Sequence, residues 1–268
     1  MLTAYDFSLA TWVDRSGVDM ILVGDSLGMV MLGYKNTSAV TMAEMLHHAR
    51  GVCRAVTRAL VVGDLPKEAL EAAPHDLERH ARSFLSVGCG AVKIEWRPRI
   101  ESVVRRLTDR GIPVMGHVGL TPQTVAEGSG FHVQGRTAQA AAGIVDAARK
   151  LETAGCFSLV LECVPSPVAE EITRAVGVPT IGIGAGPSKD GQVLVLHDVL
   201  GLYPLLSPKF VKRYMAMGET VRQAAETFCA DVIAQRFPTE EHAFAMPAEE
   251  LKQFRALVAG AQHVKARG

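Results

Sequence analysis

The 268-residue sequence has no excess of charge of either sign: 28 Lys plus Arg stand against 28 Asp plus Glu. That balance removes the electrostatic reason to expect nucleic acid or an anionic membrane as a partner. No apolar run approaches the ~20 residues needed to span a bilayer. Cysteine is scarce. Cys53, Cys89, Cys156, Cys163 and Cys229 are scattered, odd in number and form no C-x-x-C pair. A disulfide scaffold and a thiolate zinc site are therefore not expected, and a reducing cytoplasm is. The opening MLTAYDFSLATWVDRSG carries Asp6 and Asp14 and lacks a basic stretch, so it does not read as a signal peptide. No linker, charge block or low-complexity segment divides the chain. What remains, 48% hydrophobic and 21% charged, is an ordinary globular composition. A chain of this length suits one large α/β domain or two smaller ones.

Short β-branched runs alternate with longer helical stretches. The runs are MILVG (20–24), ALVVGD (59–64), AVKIE (91–95), IPVMGHV (112–118), SLVLE (158–162), PTIGIG (179–184) and QVLVLHD (192–198), with LTAY (2–5) as an eighth. Several are continuously apolar, as strands buried on both faces of a parallel sheet are. The stretches between them, such as TMAEMLHHARGVCRAV and TAQAAAGIVDAARKLETAG, have helical amphipathicity. About eight βα units in about 250 residues suit a closed (β/α)₈ barrel. An open doubly wound sheet is the structural alternative. Residues from position 220 onward read as a polar helical tail to a single domain spanning 1–268.

Strand after strand ends on an ionisable residue: Asp25, Asp64, Glu95, His117 and Glu162. In a parallel barrel these ends share one face, where active sites are built. In VKIE, period-two alternation sends Val92 and Ile94 toward the outer helices and Lys93 and Glu95 into the barrel. For Asp25, Asp64 and Glu162 alternation alone leaves the direction open. Converging carboxylates repel each other unless a cation lies among them. Asp25, Asp64 and Glu95 carry three negative charges, which one divalent ion plus Lys93 would offset. The donors are all oxygen, which favours Mg²⁺ over Zn²⁺. Glu162 is left over from that balance and is the candidate general base. The competing reading is that each acid caps a helix or forms a structural ion pair.

Three other features admit competing readings. GIGAG (182–186) has a G-x-G but lacks the third glycine and the ribose-binding acid of a dinucleotide site, so a tight turn or anion-binding loop fits better. His117 reads as either catalytic or structural. His47 and His48 read as helix surface and core edge.

With these residues placed, the chain resembles the ketopantoate hydroxymethyltransferase family, also called 3-methyl-2-oxobutanoate hydroxymethyltransferases. The matching segments include TAYD (3–6), LVGDSLGM (22–29), GDLP (63–66), VKIE (92–95), GHVGLTPQ (116–123), LVLECVP (159–165), GIGAG (182–186), DGQVLVLHDVLGL (190–202) and FPTEEHAF (237–244). The resemblance implies a (β/α)₈ TIM barrel of the phosphoenolpyruvate/pyruvate type. It implies transfer of a one-carbon unit from 5,10-methylenetetrahydrofolate to 3-methyl-2-oxobutanoate, giving ketopantoate for pantothenate synthesis. It also implies a Mg²⁺ requirement and a homo-oligomer, commonly a decamer. Residue by residue, it assigns the metal to Asp25, Asp64 and Glu95, the last directly or through water. Ser26 and Lys93 match groups holding the keto-acid carboxylate, Glu162 matches the base, and His117 matches a histidine at the pocket.

The sequence departs from the family pattern in three places. Members begin about twenty residues upstream of the position Met1 occupies, so either the sequence is truncated or a shortened first strand closes the barrel. After DLP stand Lys67, Glu68, Ala69 and Leu70, where the family has an aromatic and small residues. After KIE stand Trp96, Arg97 and Pro98, where glycine or small residues are usual. Both loops are expected at the catalytic mouth, narrowing or recharging it. They keep open a paralogue acting on another 2-oxo acid, or a catalytically weak keto-acid binder. An isocitrate-lyase-like C–C lyase is disfavoured, because no K-x-C-G-H motif is present.

Overall fold

The computed structural model describes residues 1–124, 132–205 and 208–265. The chain divides into two compact units, Met1–Ala216 and Met217–Gly268. The first holds eight parallel strands hydrogen-bonded in chain order: β1 (Leu2–Thr3), β2 (Met20–Val23), β3 (Leu60–Asp64), β4 (Ala91–Glu95), β5 (Val114–Gly119), β6 (Ser158–Glu162), β7 (Thr180–Ile183) and β8 (Gly191–Gln192). A parallel bridge from Leu2 to Leu194 returns the sheet to its first strand and closes the barrel. The Thr3 N–H donates to the Leu194 carbonyl at 3.2 Å. The expected (β/α)₈ architecture is therefore present, with a first strand of only two residues.

The principal helices between strands are α1 (Phe7–Arg15), α2 (Leu27–Val30), α3 (Met42–Ala55), α4 (Lys67–Glu71), α5 (Pro74–Ser86), α6 (Ile100–Thr108), α7 (Ala138–Thr153) and α8 (Ser166–Ala175), with α9 (Leu196–Leu200) after β8. The start of α3 shows why such stretches become helices where they do. Thr41 accepts from the Glu44 N–H, and Glu44 returns a bond to the Thr41 N–H, a reciprocal capping box. Asp6 caps α1 by accepting from Leu9.

The strands bury both faces. Outward residues such as Ile21, Val23, Val92, Ile94, Leu159 and Leu161 join a core with Met45, Val52, Phe84, Val104 and Leu151 from the helices. Inward residues Leu22, Val62, Ala91, Met115 and Val160 form a separate plug that fills the barrel. Two residues beyond Val62, Ala91 and Val160 on the same faces come Asp64, Lys93 and Glu162. The barrel interior thus changes from apolar to ionisable over one strand repeat. Gly63 permits the close packing behind this layer, since a Cβ there would lie 2.3 Å from the Phe84 ring.

The run QVLVLHD does not form the full strand expected of it. Only Gly191–Gln192 pair as β8, and by Leu196 the chain is helical. The Thr3 hydroxyl accepts the Leu196 N–H at 2.9 Å, so the first strand itself helps to start α9. Periodicity could not foresee that long-range bond.

The second unit contains α10 (Met217–Ile233) and α11 (Ala248–Lys265). No residue of α10 is buried. Within this unit Phe237 packs against Phe228 and edge-on against His242. Among the described residues no helix is long and apolar enough to cross a membrane.

Candidate active site

Asp25, Ser26, Asp64, Lys93, Glu95, His117 and Glu162 all line one cavity of about 160 Å³ at the carboxyl ends of the strands. Its other walls are mainly apolar, including Met29, Val30, Ile183, Val193 and Phe210. The sequence therefore named seven residues that the fold brings together.

Register places Asp64 beside Lys93 and Glu95 beside His117 on neighbouring strands. Lys93 Nζ lies 2.7 Å from Asp64 Oδ1, with both side chains almost wholly buried. It also lies 3.4 Å from His117 Nδ1. His117 Nδ1 is 3.7 Å from Glu95 Oε1, and its Nε2 is 3.2 Å from Glu162 Oε2. Glu162 is the least enclosed of the acids, with a side chain 19% exposed. Asp25 enters differently. Val23 faces the outer core, so simple alternation would turn Asp25 outward. The strand ends at Val23, and the turn through Gly24 brings Asp25 round to the cavity.

Burial governs the ionisation here. It pushes the Asp64 carboxyl up to about 7, with Lys93 opposing the rise and Asp25 adding to it. Glu95 is raised well above its ordinary value by burial, against Lys93 and with Asp25, Asp64 and Glu162. Burial alone would lower Lys93, but Asp64, Glu95 and Asp25 outweigh it and keep the amine protonated. His117 is lowered, first by burial and then by Lys93, and is neutral at pH 7.

One oxygen of each metal-candidate acid is held by an N–H of the framework. Asp25 Oδ2 accepts from Gln123 Nε2 at 2.9 Å, Asp64 Oδ2 from the Asp25 backbone at 3.2 Å, and Glu95 Oε2 from the Gln123 backbone at 3.1 Å. The second oxygen of each acid is not part of this framework. Among the described residues no three His, Cys, Asp or Glu side chains gather at the spacing of an all-protein metal cage. The all-oxygen donors at Asp25 and Asp64, with Glu95 behind them, do fit Mg²⁺, which keeps several waters and uses one or two carboxylates.

The backbone around Glu162 is pinned on both sides. Its carbonyl accepts the Leu120 N–H at 2.8 Å, and the Cys163 N–H donates to Ile183 at 2.9 Å. Gly119 makes this approach possible: its φ is +97°, and a Cβ would lie 2.2 Å from the Glu162 carbonyl. Cys163 holds a left-handed φ of 48°, a conformation costing a non-glycine residue on the order of 1–3 kcal/mol.

Sequence reasoning missed Gln123 and Tyr5 as site residues. The Tyr5 hydroxyl lies 2.8 Å from Ser26 Oγ, beneath the cavity wall. Both belong to segments quoted above, LTPQ and TAYD, but neither carries a charge that would mark it.

The departures at the two loops do not reach the cavity. Lys67, Glu68, Trp96, Arg97 and Pro98 are absent from its lining. Glu68 instead accepts the Met42 N–H at 2.7 Å, capping α3, and Trp96 packs on the outer core. The expectation that they narrow or recharge the mouth is not met at this cavity, because Glu68 is engaged with α3 and Trp96 with the outer core.

A closed parallel barrel with buried acids and a lysine at its carboxyl-end mouth defines a barrel enzyme. The fold is similar to that of phosphoenolpyruvate phosphomutase from Streptomyces platensis subsp. rosaceus (TM-score 0.58, 14% identity, covering 99% of this chain and 93% of that one). A 2,3-dimethylmalate lyase of the PEP mutase/isocitrate lyase superfamily matches with a TM-score of 0.57 and 15% identity, over 100% of this chain and 90% of the other. The chain belongs to the ketopantoate hydroxymethyltransferase family, whose model matches residues 1–240. It is 51% identical over 262 residues to the 3-methyl-2-oxobutanoate hydroxymethyltransferase of Oleidesulfovibrio alaskensis, covering 97% of this chain and 91% of that one. With the enzyme of the same name from Nitratidesulfovibrio vulgaris it shares 53% over 257 residues, covering 96% and 84%. It is accordingly a hydroxymethyltransferase.

Proposed function

We propose that this enzyme transfers a hydroxymethyl group from 5,10-methylenetetrahydrofolate to 3-methyl-2-oxobutanoate, with Mg²⁺ at Asp25 and Asp64 and Glu95 acting directly or through water. The observation that carries the reading is the separation of tasks within one cavity. Asp25, Asp64 and Glu95 are tied to framework N–H groups, while Glu162 stands apart beside His117. A divalent cation bound there would supply Lewis-acid polarisation of the keto carbonyl.

The protein's own groups do the rest. Lys93, held protonated, and Ser26, oriented by Tyr5, bind the substrate carboxylate. Glu162 takes the proton from the branched carbon next to the carbonyl. Neutral His117 accepts from Lys93 through Nδ1, which puts its ring hydrogen on Nε2, the nitrogen 3.2 Å from Glu162 Oε2. The nucleophilic carbon forms a C–C bond to the folate methylene as one C–N bond of folate breaks. One water then supplies the hydroxyl oxygen as the second C–N bond breaks, and tetrahydrofolate leaves with its two nitrogens protonated by the proton taken from the substrate and one from the water. The reading includes a homo-oligomer in the cytoplasm.

A coupled assay with 3-methyl-2-oxobutanoate and methylenetetrahydrofolate, with and without Mg²⁺, tests it. Cation-dependent ketopantoate formation is expected. No product with this acid, but turnover of another 2-oxo acid, would replace the substrate assignment.

A further inference from the structure

We propose that Gln123 is a positioning residue for cation binding: its side-chain amide orients Asp25 while its backbone orients Glu95. The proposal rests on the divalent-cation reading above.

Gln123 is 2% exposed and lies in the turn Pro122–Thr124, just after β5. Its Nε2 donates to Asp25 Oδ2 at 2.9 Å and to the Leu65 carbonyl at 3.0 Å. Its backbone N–H donates to Glu95 Oε2 at 3.1 Å. One residue therefore joins the ends of β2, β3 and β4, and two of its three bonds go to carboxylates of the site.

The amide can face only one way. Turned over, Oε1 would meet the Asp25 carboxylate and the Leu65 carbonyl, both acceptors. With Nε2 facing them, Oε1 is left buried, and among the described residues nothing donates to it. A buried acceptor without a donor is unusual, and a bound water is the usual remedy. A water in the hydration shell of a cation held by Asp25 would be such a donor. A residue serving only to pin the loop would need the Leu65 bond alone. The two carboxylate bonds and the unfilled acceptor point toward the cation instead.

A glutamine here is also the right charge. It supplies donors to two acids without adding a fourth carboxylate to Asp25, Asp64 and Glu95. Outer partners that hold metal ligands typically change affinity about 10–100-fold when removed.

The test is calorimetric titration of Mn²⁺ into the protein without folate, for the native chain, Gln123→Met and Gln123→Ala. Both variants keep the backbone N–H to Glu95 and lose the bond to Asp25. Each is expected to bind Mn²⁺ about 10–100-fold more weakly. In turnover, the cation concentration for half-maximal rate should rise by the same factor, and kcat at saturating cation should recover. A purely structural role would lower the unfolding temperature without moving Mn²⁺ affinity. Should Gln123→Met fail to fold, Gln123→Ala carries the measurement. If the native protein binds no Mn²⁺, the cation reading and this proposal fall together. If the native protein binds and the variants match it within about twofold, the affected ligand is independent of Gln123 and this proposal alone falls.

Discussion

His117 Nε2 lies 3.2 Å from Glu162 Oε2, while the opposite nitrogen of the same ring lies 3.4 Å from the Lys93 ammonium. The histidine thereby connects Lys93 to the proposed base. It explains how a neutral residue at this position is useful. A charged imidazolium beside Lys93 would be repelled, and burial already lowers its pKa.

Glu162→Gln preserves shape and a hydrogen-bond donor but removes the basic oxygen. Exchange of the substrate's C3 proton with D₂O, followed by NMR without folate, should slow by about 10²–10⁴-fold. Keto-acid binding should persist, because the residues assigned to the carboxylate are Ser26 and Lys93. Equal exchange in native and variant protein would transfer the role to His117.

The raised pKa of Asp64 has a definite sign in stability. A carboxyl whose folded pKa exceeds its unfolded value contributes stability below the unfolded pKa and loses it as pH rises through the folded value. For Asp64 that window runs from 3.8 to about 7. Buried His117 and His197, both lowered, work the other way, so a comparison with Asp64→Asn is needed. Without metal, the native protein should lose stability relative to that variant between about pH 4 and pH 7. Urea unfolding midpoints measure it, and a relative gain over that range would contradict it. Added Mg²⁺ should stabilise the native protein at pH 8 far more than the variant.

Tyr5→Phe removes the hydroxyl that meets Ser26 Oγ and leaves the buried ring in place. A neutral hydrogen bond contributes about 0.5–1.5 kcal/mol, so the KM for the keto acid should rise by up to about tenfold. The kcat should change little. A fall in kcat with KM unchanged would mean that Ser26 acts in the chemistry rather than in binding.

Trp96→Ala and Glu68→Ala should affect stability rather than substrate choice. Trp96 covers part of the outer core, and Glu68 caps α3 at Met42. Losing the cap should cost about 1 kcal/mol, and losing the half-buried ring about 1–3 kcal/mol. Thermal unfolding reports both. A changed ratio of kcat/KM between 3-methyl-2-oxobutanoate and a smaller 2-oxo acid in either variant would restore these loops to the specificity determinants.

The acids at the strand ends were legible because a barrel turns sequence position directly into spatial position. Lys93 and Glu95 follow from the two-residue alternation in VKIE, and the structure places Val92 and Ile94 outward as that alternation requires. Asp25 was legible as a strand-end acid but not in its direction, which a turn at Gly24 decides. Gln123 and Tyr5 were silent because an uncharged polar residue reveals its role only through partners 98 and 21 positions away. The loops at 67–70 and 96–98 were misplaced for a related reason. Adjacency to a strand-end acid in sequence does not set where the next few residues face, and here Glu68 faces α3 and Trp96 the outer core. The run after Gly191 failed as a strand because a hydroxyl near the first residue of the chain starts a helix within it.

The closure between Leu2 and Leu194 also sets an order of events during synthesis. Two bonds tie the two segments together: Thr3 to Leu194 and Leu196 to Thr3. Neither can form until the segment near Leu194 has left the ribosome. Until then β1 has only β2 as a neighbour, and its other edge offers unpaired backbone groups to any strand nearby. The wall containing Thr3, Val193 and Leu194 is therefore closed only after β1 to β7 are out, and Asp198, Tyr203 and Phe210 complete the lining after it. A nascent chain carries its acids long before it can enclose a substrate, and chaperone protection would matter most in that interval.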